Sequence, residues 1–119
     1  MIDMVRRAHA AGVSIAFGTD SGVSRHGDNA QEFKLMVAAG MSEMEAIVAA
    51  TVTAAEVLGQ STDLGTIEPG KRADLIATPG SPLENIEELL EVGFVMKDGV
   101  VYKDEIGSTR LSLPPRGAQ

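Results

Sequence analysis

Hydrophobic residues recur along this chain with two different periods, and the place where one period replaces the other divides it. From Ile2 onward, Ile2, Val5 and Ala8 fall at helical spacing and predict a helix over 2–11. Gly12 follows where a residue at positive φ would stop it. Val13 to Phe17 (VSIAF) is a short apolar run closed by Gly18, the pattern of a strand buried on both faces of a parallel sheet. The polar, glycine-bearing stretch TDSGVSRHGD (19–28) then reads as the loop leaving the C-terminal end of that strand. Asp28 or Asn29 is placed to cap a helix through about Ala39, with Phe33, Met36 and Val37 as its apolar stripe and Gly40 as its break. Ser42 with Glu45 forms a capping box for a helix over 43–50, and a further helix runs from Thr51 to Leu58 before Gly59.

Beyond Gly59 the texture changes to turn residues and β-branched residues. Pro69-Gly70 marks a turn and Asp74 to Thr78 a short strand. Phe94 to Lys97 and Val100 to Lys103 flank Asp98-Gly99, a two-residue hairpin signal. The tail 107–119, with Pro114-Pro115, is expected to be loosely ordered. Lys71 and Arg72 read as a solvated turn, and Glu84, Glu87, Glu88 and Glu91 as an exposed helical face. There is no internal repeat. The fold class that follows is α/β.

Composition narrows the functions open to such a chain. With 44% hydrophobic and 23% charged residues in 119, it has the makeup of an ordinary globular domain. Aromatics are only 3% and Trp is absent, so the core must be built from aliphatic residues, Met and Ala. A formal net charge of −7 opposes non-specific attraction to nucleic acid or to an anionic membrane. The absence of cysteine excludes disulfides and thiolate metal sites, and leaves the reducing cytosol as the expected compartment. The N-terminus lacks the apolar core of a signal peptide, and no run approaches the ~18 apolar residues of a membrane span.

The residues that bear on chemistry lie at the end of the expected strand. Gly18-Thr19-Asp20-Ser21-Gly22 puts a carboxylate at the mouth of a buried parallel strand, where α/β barrels keep their active sites. Asp20 has two readings on the residues alone. It either caps the following turn, or it binds a divalent cation through one oxygen while acting as a base. His26, in the same loop, is either a substrate contact or a solvent-exposed imidazole; His9, between Ala8 and Ala10, reads as structural.

Two longer stretches carry a resemblance. VSIAFGTD (13–20) looks like the eighth barrel strand of the amidohydrolase superfamily. TVTAAEVLGQSTDLGTIEPGKRADL (51–75), followed by the hairpin Phe94 to Tyr102, is similar to that family's passage into the small β domain beside its barrel. The loop GVSRHGDN (22–29) resembles the branch that holds imidazolonepropionase-like enzymes and metal-dependent Xaa-Pro dipeptidases, although Arg25 stands where many relatives have Pro.

The resemblance implies the C-terminal fragment of a (β/α)8 barrel. Residues 1–59 would supply its terminal β/α units, 60–106 part of the small β-sandwich domain and 107–119 a flexible tail. It further implies hydrolysis of a C–N bond in an amide, a peptide or a cyclic amide. Asp20 would be metal ligand and proton shuttle, and His26 a substrate contact.

The family's metal site also needs a His-x-His and further ligands. With only His9 and His26 present, a divalent metal, zinc by expectation, belongs to a full-length parent and binds weakly or not at all here. The expected start near the seventh barrel helix leaves the strand 13–17 without neighbours. The chain is therefore expected to be inactive alone and to associate with itself or with the missing barrel segments. The competing reading is a non-catalytic α/β module that binds a partner chain.

Overall fold

A computed structural model describes residues 2–106, and the expected flexible tail 107–119 lies outside them. The elements are α1 (Ile2–Ala10), α2 (Gln31–Ala38, led in by a 3₁₀ turn over Asp28–Ala30), α3 (Glu43–Ala50) and α4 (Val52–Val57). There follow β1 (Leu75–Ala77), a 3₁₀ helix over Ile86–Leu90, β2 (Phe94–Lys97) and β3 (Val100–Asp104).

The helical half is held by local signals. At α3 the Ser42 hydroxyl accepts the Glu45 N–H at 3.2 Å and the Glu45 carboxylate accepts the Ser42 N–H at 2.7 Å, a complete capping box. α3 buries Ala46 and Ala49, whose small side chains let the neighbouring backbone come close. Met36 and Met41 from the α2 side pack there with Ile86 and Leu89 of the 3₁₀ helix. Ile15, Phe17 and Phe33 lie against this cluster, the Phe17 and Phe33 rings 4.5 Å apart. The core is thus aliphatic, methionine-rich and small. Thr51 divides the helix expected over 51–58 from α3. Its hydroxyl donates to the Ile47 carbonyl at 2.7 Å and its backbone leaves helical values.

The β half is an antiparallel meander in the order β1-β2-β3. Asp98 and Gly99, at φ +49° and +77°, both adopt the left-handed conformation that a two-residue hairpin loop needs. Asp74 braces that loop, its carboxylate accepting the Asp98 N–H at 2.7 Å. The β2–β3 register slips between Val95 and Met96, leaving Tyr102 as the extra residue of a bulge.

Three local expectations are corrected. The strand expected over 13–17 does not form: Val13 is 56% exposed, and the Phe17 N–H goes to the Ala49 carbonyl at 3.0 Å instead of to a sheet neighbour. A ladder needs a second strand about 4.8 Å away, and none of β1, β2 and β3 pairs with this segment. Only Ile15 and Phe17 reach the core. Lys71 is not solvated: its side chain is 16% exposed and its ammonium donates to the carbonyls of Ser61 and Leu64 at 2.7 and 3.2 Å, beside Glu68 at 3.3 Å. The acidic run 84–91 is only partly a solvated face, since Glu88 is half-buried and accepts the Gly80 N–H at 2.8 Å. Glu87 reaches across to Lys34 at 2.8 Å.

Candidate active-site loop

The loop over residues 18–28 leaves the core at Phe17 and re-enters it through α2. Its shape is set by backbone and hydroxyl contacts. Asp20 stands at φ +47°, a left-handed value that Asp tolerates better than most residues, and its carbonyl accepts the Gly22 N–H at 2.9 Å. The Ser21 and Ser24 hydroxyls are in contact, and the Arg25 carbonyl takes the Asp28 N–H at 3.1 Å.

The turn after Asp20 is therefore closed by main chain. The Asp20 carboxylate is exposed and has no hydrogen bond or ion pair among the described residues, so the capping reading has no side-chain bond to rest on. His26 is likewise exposed in the same loop. The two candidate side chains stand on one loop, but no contact joins them.

His9 lies apart, its Nε2 3.2 Å from the Glu45 carboxylate, where it ties α1 to the capped end of α3. The Ser42 backbone N–H, followed by His9, holds the Glu45 carboxyl below the usual glutamate value. Lys71 and Glu68 form the other strongly interacting cluster. Glu68 is held low by the Thr66 hydroxyl first and by Lys71 second. Sequence reading missed this clamp because a lysine in a turn is ordinarily hydrated, and no periodic signal announces carbonyls folded around it.

Among the described residues, no three His, Asp or Glu side chains gather into a group that could hold a metal ion. Catalytic zinc takes about three protein ligands. The donor set in this chain does not fit a complete site; Asp20 could be one member of it. Nor is any helix among the described residues long and apolar enough to cross a membrane.

Residues 1–102 match the Amidohydrolase family. Among solved structures, a Xaa-Pro dipeptidase with methionine bound in its active site is similar over 86% of this chain. It has a TM-score of 0.84 and 50% identity, and 25% of its own length is covered. The ochratoxinase of Aspergillus niger is 40% identical over 98 residues, which are 78% of this chain and 20% of that protein. The imidazolonepropionase of Shouchella clausii is 26% identical over 115 residues, which are 87% of this chain and 26% of that protein. The chain thus spans about a quarter of the length of these relatives.

Proposed function

Because this chain belongs to the amidohydrolase family, we propose that it is the part of a C–N bond hydrolase that carries the loop acid Asp20. Its substrates are amides, peptides or cyclic amides, small peptides first among them. The observation that carries the reading is an exposed carboxylate without a side-chain partner on the loop over 18–28. It is supported by the 50% identity to a Xaa-Pro dipeptidase over most of the chain.

Expelling an amine requires that the nitrogen be protonated as its bond breaks. A single carboxylate can take a proton from the attacking water and deliver it to that nitrogen. Asp20 fills this role, and His26 contacts the substrate. A divalent cation, zinc by preference, would supply Lewis acidity. Asp20 offers it one oxygen and the remaining ligands come from outside this chain, which is inactive alone.

The test is a fusion in which this chain replaces the matching quarter of the Xaa-Pro dipeptidase. Metal-dependent hydrolysis of a dipeptide is expected, with Asp20→Asn lowering kcat by about 10²- to 10⁴-fold. Undiminished turnover in the Asn variant would end the proposal.

A second reading, a non-catalytic module that associates with a partner chain or with itself, is favoured by a different observation. An apolar groove of about 730 Å³ lies between α3–α4 and β1, lined by Ile47, Ala54, Leu58 and Ile76 among others. β1 is paired on one side only. If the chain binds the complementary barrel piece stably and no hydrolysis appears, the module reading stands.

A further inference from the structure

The sheet has two edges, and only one of them is guarded. β3 carries a bulge at Tyr102 followed by Lys103 and Asp104. Bulges and charges of this kind keep an edge from being extended by another strand. β1 has neither. Leu75, Ile76 and Ala77 carry no charge, they pair with β2 in unbroken register, and among the described residues no strand pairs with their other side. β1 also forms one wall of the apolar groove of about 730 Å³. Ile67, Leu58 and Ile76, which line it, are 86%, 65% and 55% exposed, so a strand laid on β1 covers apolar surface as well as backbone.

We infer that this edge is taken by the chain's own segment 110–113: Arg110-Leu111-Ser112-Leu113, outside the described residues, adds to β1 as a fourth, antiparallel strand and closes the groove. The inference starts from where the described chain leaves the sheet. The Glu105 N–H donates to the Gly93 carbonyl at 2.8 Å, and the Gly93 N–H donates to the Ala77 carbonyl at 2.9 Å. Ile106 packs so closely on Gly93 that a Cβ added there would lie 2.7 Å from the Ile106 Cγ1. The exit therefore stands beside the residue that meets the carboxyl end of β1.

The reach and the direction agree with that placement. β1 and β3 both run antiparallel to β2, so a chain leaving β3 has to double back to follow the free side of β1. A strand outside β1 lies three strand spacings, about 14 Å, from β3. The five steps from Ile106 to Leu111 span up to about 17 Å. The resulting order, with the added strand before β1-β2-β3, is that of a Greek key.

The segment itself fits the edge. Leu111 and Leu113 share one face and Ser112 takes the other, matching the three residues of β1. Pro114-Pro115 cannot donate to a ladder and so ends the strand. All seventeen acidic residues lie within 1–106, whereas 107–119 has Arg110 and Arg116 and no acid. A basic segment is drawn to this surface, while a second copy at −7 is repelled. Tethering widens the difference: a short flexible linker presents its segment at on the order of 1 mM, about 100-fold above a second copy at ~10 μM. The contact depends on neither the hydrolase nor the module reading, but a partner chain that uses this edge has to displace the segment first.

The test compares the full chain with its Leu111→Asp/Leu113→Asp variant by amide hydrogen exchange at low micromolar concentration. At least one amide among Leu75 to Thr78 is expected to exchange about 10-fold faster or more in the variant, with Val101 to Lys103 and α3 unchanged. Dilution separates the occupants. Protection by the chain's own segment does not depend on concentration, and protection by a second copy fades as the chain is diluted. Equal exchange of 75–78 in the two proteins, an acceleration spread alike over α3 and β3, or protection that fades on dilution overturns the inference.

Discussion

Two glycines offer a paired test of how the β half is fastened to the helices. At Gly65 an added Cβ would lie 2.9 Å from the Ala55 Cβ, 3.1 Å from the Thr51 carbonyl oxygen and 3.3 Å from the Val52 Cα, and φ there is +96°. Every obstacle belongs to the first turns of α4 and cannot swing aside. Left-handed strain in a residue other than Gly adds about 1–3 kcal/mol, and forcing a methyl into a packed contact adds about 1–3 kcal/mol. The lower entropy of the unfolded alanine chain returns about 0.4–1 kcal/mol. Gly65→Ala should therefore destabilise by about 2–5 kcal/mol. In a urea titration that is a midpoint lower by about 1–3 M.

Gly80 looks worse on distance alone, because its added Cβ meets the Glu88 carboxyl group at 2.6 Å. That carboxyl is the far end of a flexible side chain and φ is ordinary, so Glu88 can rotate away. The loss is then the exposed hydrogen bond from the Gly80 N–H, about 1 kcal/mol, largely offset by the same entropy gain. The reasoning is refuted if Gly80→Ala lowers the midpoint more than Gly65→Ala, or if Gly65→Ala leaves it where it was.

Lys71→Met keeps the aliphatic stem but strands the Ser61 and Leu64 carbonyls beneath it, so urea titration should report a loss of about 1–3 kcal/mol. A change within about 0.5 kcal/mol would return Lys71 to the solvated turn first expected. Glu45 is depressed below its ordinary value of 4.5 by the Ser42 N–H and then by His9. The sign follows from that direction: its contribution is fully present above 4.5 and is lost as pH falls through the lower folded value. Glu45→Gln should flatten the acid side of a stability–pH profile between roughly pH 5 and 3, and parallel wild-type and variant profiles would contradict the assignment.

What could be read from the chain divides by how local its cause is. The capping box at Ser42 and Glu45, the glycine stop after α1 and the Asp98-Gly99 hairpin each sit in a few consecutive residues, and each is found where expected. The bond from the Asp98 N–H to Asp74 spans 24 residues and so is a fact of the fold rather than of the local sequence. The Lys71 clamp depends on a turn that folds the carbonyls of Ser61 and Leu64 toward one ammonium, which neither period nor propensity encodes.

The segment 13–17 shows the same principle from the other side. A helix satisfies its own backbone, and a hairpin satisfies most of its backbone within a dozen or so residues, so α3 and the β2–β3 pair form from what the chain itself supplies. An apolar run suited to burial on both faces carries half of its specification in neighbours, and here only Ile15 and Phe17 find any. Asp20 follows directly after that run. Its φ of +47° and the Gly22 bond are local and are already in place, but the direction in which its carboxylate points depends on where Phe17 and Gly18 are carried. The proposed chemistry thus sits where local information ends, and supplying strand neighbours to 13–17 is the change with the greatest leverage on Asp20.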